Sequence, residues 1–237
     1  QVFDIENHSN VTLTNNGNII AHDTQATPTE LIPCGSACNN TVDASGSSNF
    51  TLTNNGTIWA GEQRVIDLQN ATGTITVTNN SGATLASGER MGSPHDADVL
   101  DLTGAGSSGD TITITNHGTI QNLAKNFALI GLDSMTSGAI VNFTNTGSIN
   151  QGSSTQDANM CIDAQSSTDE INVTNSESGT IQSNRRVFIL GGSTNFTLNN
   201  SGTIKQNRNK SRSTAQAPGA HDYSCLLYTS PSPRDRG

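Results

Sequence analysis

One phrase recurs seven times along this 237-residue chain, and it limits the fold more than any other feature. Its copies are Val11-Thr-Leu-Thr-Asn-Asn-Gly17, Phe50–Gly56, Ile75–Gly82, Ile112–Gly118, Val141–Gly147, Ile171–Gly179 and Phe196–Gly202. A short apolar piece follows each glycine, centred on Ile19, Ile58, Leu85, Ile120, Ile149, Ile181 and Ile204. A third phrase precedes each copy: Phe3-Asp-Ile5, Val42-Asp-Ala44, Ile66-Asp-Leu68, Leu100-Asp-Leu102, Ile130-Gly-Leu132, Ile162-Asp-Ala164 and Ile189-Leu-Gly191. Successive copies start up to 39 residues apart, and the variation falls between the phrases.

Each unit therefore reads as three short strands. The first two phrases alternate with period two, so each strand has an apolar and a polar face. Their β-branched and aromatic residues suit strands, and no segment has helical spacing. One such unit cannot bury its apolar face, whereas stacked units can, each strand pairing in parallel with its equivalents. One inward column is Leu13, Leu52, Val77, Ile114, Phe143, Val173 and Leu198; another is Ile5, Ala44, Leu68, Leu102, Leu132 and Ala164. A core this narrow explains how the chain manages with 47 Leu, Ile, Val and Phe residues while Thr (31) and Asn (28) dominate. A two-sheet sandwich is the competing fold. It predicts hairpins between similar strands, whereas every unit here keeps the same internal order. The expectation is an all-β chain, a right-handed parallel β-helix of about seven three-strand coils with pectin-lyase-like architecture, spanning residues 1–205.

The Asn-Gly corner has a local reading: glycine enters positive φ freely and asparagine tolerates it. Stacked corners would place Asn15, Asn54, Asn79, Asn116, Asn145, Asn175 and Asn199 above one another as an amide ladder. The Thr-Leu-Thr-Asn-Asn-Gly-Thr-Ile phrase of residues 51–58, the acidic strand before it and the variable loops resemble the passenger domains of bacterial autotransporters and related secreted adhesins. That resemblance covers about residues 1–205. It implies a secreted, surface-displayed section of a longer chain, with a signal peptide and an anchoring outer-membrane barrel elsewhere, and it identifies no ligand.

Charge and texture change near the end. Residues 206–237 carry five basic and two acidic side chains, against 6 and 18 before them. The segment reads as a disordered tail, and its last stretch, Ser224–Gly237, looks partly adaptor-derived. No apolar run is long enough for a transmembrane helix, so no direct membrane insertion is expected from this section. A net charge of −9 argues against nucleic acid as a partner.

Candidate chemistry is sparse. Asp4, Asp43, Asp67, Asp101 and Asp163 hold one strand position in five units and should point outward, with Gly131 and Leu190 interrupting them. Such a carboxylate rank has two readings: a calcium or polysaccharide-processing groove, or a solvated, screened rank that blunts aggregation of an open sheet. The second is preferred, because no cation recurs beside it. Thr12, Thr14, Thr51, Thr53, Thr76, Thr78, Thr113 and Thr115 form an outward Thr-x-Thr array, which resembles the face of ice-binding β-helices and equally suits exposed strand. Cys34 and Cys38, in the longest loop, read as a local disulfide rather than a zinc site, since no histidine pair accompanies them. Cys161 reads as a free thiol facing outward beside Asp163. The five histidines fall in turns, loops or the tail, with a small polar cluster at His95, Asp96 and Asp98. No nucleophile-elbow, metalloprotease or phosphate-loop motif occurs, so no enzyme and no obligatory cofactor is expected. The sequence thus points to a rigid rod whose longest loops, about 21–40 and 151–160, meet a cell-surface or glycan ligand. A polysaccharide lyase or hydrolase and an ice-binding protein are the rival readings.

Overall fold

A computed structural model of the chain describes residues 2–21, 40–61, 63–88, 98–122, 128–151, 160–183 and 186–206. They form a right-handed parallel β-helix of seven coils with three strands each and no helix. Coil 2 shows the plan: Val42–Asp43 in the first sheet, Ser48–Asn54 in the second and Thr57–Ala60 in the third. Each sheet contains seven parallel strands in coil order. First-sheet strands are two to four residues long, second-sheet strands five to seven, and third-sheet strands four.

Register follows the side chains. Leu13, Leu52, Val77, Ile114, Phe143, Val173 and Leu198 lie directly over one another, as the sequence predicts. A one-residue slip would turn every inward side chain to water, so the alternation fixes the pairing. Phe50, Leu52, Ile66, Leu68, Ile112 and Ile114 are fully buried in a single core. Each such side chain contributes about 1.5–3 kcal/mol of burial.

Alternation fails at one place. At the corner leading into the first sheet, two consecutive residues face the core: Val65-Ile66, Val99-Leu100, Leu129-Ile130 and Cys161-Ile162. The chain bends there, and both side chains fall inside the bend. Cys161 therefore does not face outward. It continues the Val65, Val99 and Leu129 column, and its Sγ donates to the Gln182 carbonyl at 3.1 Å. Burial pushes this thiol up to about 12, so it stays protonated and inert at neutral pH.

The corner glycines also differ from expectation. Gly56, Gly118, Gly147, Gly179 and Gly202 do not have positive φ. They are required for close approach: a Cβ on Gly56 would lie 1.9 Å from the Gly17 carbonyl oxygen, and one on Gly147 2.1 Å from that of Gly118. Among the glycines of this corner Gly82 does have positive φ, at 80°, and positive φ recurs in every coil at the corner after the first sheet. Asn7, Gly46, Asn70, Gly104, Ser134, Ser166 and Gly192 all occupy the left-handed region there, one per coil.

Coil 7 requires two register corrections. Phe188 pairs with Ile162 and Ile189 with Asp163, so Ile189, not Leu190, stands in the aspartate rank. Asn200, not Asn199, pairs with Asn175. Asn199 takes the outward place that Thr174 holds in coil 6. The chain offers two adjacent asparagines in this coil, and only the one two residues beyond Leu198 faces inward.

Candidate functional site

Strand register places the five aspartates of the first sheet in one rank, Asp4 to Asp43 to Asp67 to Asp101, then across Gly131 to Asp163. The reason aspartate recurs is local. One carboxylate oxygen accepts from the backbone N–H two residues on: Asp43 from Ser45, Asp67 from Gln69, Asp101 from Thr103 and Asp163 from Gln165, at 3.0–3.3 Å. This Asx turn ends the short strand and directs the chain into the left-handed residue that follows. Sequence reasoning saw the spacing but missed this function.

The rank is not solvated along its length. Asp43, Asp67 and Asp101 are 5%, 3% and 1% exposed, Asp163 is half-buried, and only Asp4 is open to water. Arg64 lies among them, its Nη1 3.1 Å from Asp67 Oδ2 and its Nε against Asp101 Oδ2. Asn40 Nδ2 donates to Asp43 Oδ2 at 3.0 Å and to Asp67 Oδ2 at 2.8 Å. One cation, Arg64, therefore stands beside the rank, although none recurs from coil to coil. It comes from the preceding corner, three residues before Asp67. One guanidinium bridging two buried carboxylates holds adjacent coils together. This arrangement withdraws Asp67 and Asp101 from solvent, and breaking it would leave buried charge uncompensated. Among the described residues no group of three or more His, Cys, Asp or Glu side chains could hold a metal ion.

Burial pushes the Asp67 carboxyl up, and Arg64 only partly offsets this. Burial also raises Asp163, and the charges of Asp43 and Asp4 raise the exposed Glu6. A carboxyl raised in the folded state binds protons more tightly there than in the unfolded chain. Its stabilising contribution is complete below the ordinary value of 3.8 and is lost as pH rises through the raised folded value. The melting temperature is therefore expected to fall as pH rises through that window, with a flatter profile in Asp67→Asn. Thermal melts across pH 3–7 test this; the same slope in parent and variant would exclude Asp67 as its source.

Other candidate residues lie on the sheet faces. Thr12, Thr51, Thr76 and Thr113 are in register, as are Thr14, Thr53, Thr78 and Thr115, all exposed or half-buried on the outer face of the second sheet. The rows continue through Asn142, Asn172 and Thr197, and through Thr144, Thr174 and Asn199. The asparagine ladder is inside: Asn15, Asn54, Asn79, Asn116, Asn145, Asn175 and Asn200 are linked side chain to side chain by six bonds of 2.8 Å. On the third sheet Ile20, Trp59, Ala86 and Gln121 form an outward row. With Asn18, Thr57 and Thr84 they line a recess of about 260 Å³. Trp59 is the chain's single tryptophan, so composition offered a signal for this recess, but no repeat did. Cys34, Cys38, His95 and Asp96 lie outside the described residues, as do residues 207–237. No helix in the described residues is long and apolar enough to cross a membrane.

Length varies very unevenly around the coil. Between equivalent positions, the corner from second to third sheet uses three to five residues, and the corner from first to second uses six to ten. The corner from third to first uses four residues between Ser183 and Phe188, twelve between Ser87 and Leu100, and twenty between Ala21 and Val42. The second-longest insertion is thus 88–99; the span from Gln151 to Ile162 contains ten residues. Compared with protein-family models, curated proteins and solved structures, the chain matches none.

Proposed function

We propose that this chain is an extracellular display rod, a bacterial surface adhesin or passenger segment, that recognises a cell-surface or glycan ligand through insertions along one edge. The observation that carries this reading is the concentration of length variation at the corner from third to first sheet. A scaffold that keeps its strands in register while one corner ranges from four to twenty residues is arranged to present different segments from a constant frame. Several weak contacts along one edge combine into useful avidity. The Trp59 recess lies on the sheet leading into that corner and adds an apolar floor with amide and hydroxyl groups.

The four-residue link between Ser183 and Phe188 demonstrates that this corner closes without a long insertion. Replacing residues 22–41 and 88–99 with links of that length therefore leaves coil register available. Binding to a panel of immobilised neutral and acidic glycans and to cultured cells should be lost in the shortened variant, with the far-ultraviolet spectrum retained. Retained binding would place recognition on a sheet face.

A second reading draws on the in-register threonine rows, whose hydroxyls repeat at about 4.8 Å along the outer second sheet, a spacing suited to ordered water. Thermal hysteresis abolished by Thr51→Tyr would establish it; absence of hysteresis in the parent chain would remove it.

A further inference from the structure

We propose that two copies of this chain associate side by side through the outer face of the second sheet, the Thr and Asn rows of one packed on those of the other. Charge favours this face. The chain carries a net charge of −9, yet its seven second-sheet strands contain one ionisable side chain, Glu170. The much shorter first-sheet strands contain Asp4, Asp43, Asp67, Asp101, Asp163 and Arg186. Repulsion between two acidic copies is therefore weakest across the second sheet, and almost no charge there has to leave water.

Polar groups on this face are already paired with one another. Ser48 Oγ donates to Ser9 Oγ at 2.8 Å and Asn49 Nδ2 to Asn10 Oδ1 at 3.1 Å. Asn172 Nδ2 donates to Asn142 Oδ1 at 3.3 Å and to Glu170 Oε1 at 2.8 Å. Rows that satisfy themselves are covered at lower cost than amides and hydroxyls bonded only to water. The threonines add methyl groups, and like side chains repeated every ~4.8 Å suit the dry interdigitation of paired sheets.

Shape selects this face over the third sheet, whose strands are equally uncharged apart from Lys205. There Trp59 stands next to Ala86 and leaves a recess of about 260 Å³. The Thr51 and Thr53 rows of the second sheet hold only Thr and Asn, so they are level. The sheet extends roughly 34 Å along the rod and about 17 Å across it. Two such faces bury on the order of 1,100 Å² of projected surface, more than a lattice contact of under about 800 Å² and just less than a standard specific interface. Because both copies use the same patch, the contact closes as a two-fold dimer, and its modest area makes it reversible.

Sedimentation velocity of the full chain, from micromolar concentration upward, should show the 24.7 kDa monomer passing to a species of twice that mass and no larger. Thr53→Arg and Thr115→Arg should each weaken association at least tenfold by placing a guanidinium in the covered face. Both should keep the parent's melting temperature, since these side chains lie on the outer face. Ser148→Arg, on the third sheet, should associate as the parent does, and EDTA should leave the dimer intact. A parent chain that is monomeric at every concentration would overturn the proposal and return the face to ordered water. So would undiminished association of folded Thr115→Arg, or loss of the dimer in Ser148→Arg alone, which would move the contact to the third sheet. Dissociation by EDTA would also overturn it, by showing that cations bridge the aspartate ranks of two copies.

Discussion

Gly118→Ala should cost about 3 kcal/mol or more, because the added methyl group has no space and its neighbours cannot yield. Its Cβ would lie 2.3 Å from the Ala83 carbonyl oxygen, 2.5 Å from that of Asn80 and 2.9 Å from Asn79 Nδ2. That backbone is already engaged: Ala83 O accepts from Thr119 N–H of the next coil at 2.9 Å and Asn80 O from Ala83 N–H at 3.0 Å, while Gly118 N–H itself donates to Asn79 O across the coils at 3.2 Å. Separating the coils to admit the methyl group breaks that ladder in mid-stack. For a chain of this size the expected fall in melting temperature is roughly 6–12 °C. Gly17→Ala, at the same motif position, should stay within about 0.5 kcal/mol, since a Cβ there would meet nothing within 4 Å. Because each coil contacts only its neighbours, loss of amide protection should begin at Thr84–Ser87 and Thr119–Asn122 and spread outward. Equal stability of Gly118→Ala and Gly17→Ala would refute the close-approach account of these corners.

Asn116→Ala should cost about 2–4 kcal/mol, because each buried partner left unsatisfied costs about 1–3 kcal/mol. Asn116 Oδ1 accepts from Asn79 Nδ2, and its own Nδ2 donates to Asn145 Oδ1. All three side chains are almost wholly buried. Asn116→Asp should be worse. It replaces the donor aimed at Asn145 Oδ1 with a second acceptor and places a carboxyl in an apolar surround that resists ionisation. Asn199→Ala is the control: Asn199 is exposed and outside the ladder, so its loss should change stability by less than about 0.5 kcal/mol. Urea unfolding of the three variants checks this. A penalty for Asn199→Ala equal to that for Asn116→Ala would return Asn199 to the ladder and remove Asn200.

The register of the core columns was legible in the sequence because alternation has only two phases and one exposes every leucine to water. The asparagine ladder was legible for six coils, where one invariant threonine precedes the corner asparagine. It misled in coil 7, where Asn199 replaces that threonine and two asparagines compete. The inward turn of Cys161 could not be read from alternation, since the bend into the first sheet places consecutive residues on the same side. The aspartate rank was seen and misjudged. Its recurrence suggested a charged surface, whereas Asp43, Asp67 and Asp101 are buried acceptors of turn N–H groups.

Sequence alone determined the repeat, the three-strand coil and the direction of stacking, because these follow from local alternation and from the identity of equivalent segments. The tertiary structure decided which glycines are indispensable and why, since a missing Cβ matters only where another coil's carbonyl occupies its place. It also decided that Arg64 reaches across to Asp101 of the next coil and that the insertions share one edge of the rod. Those facts depend on distances between residues far apart in the chain, and the periodicity of a single strand contains no information about them.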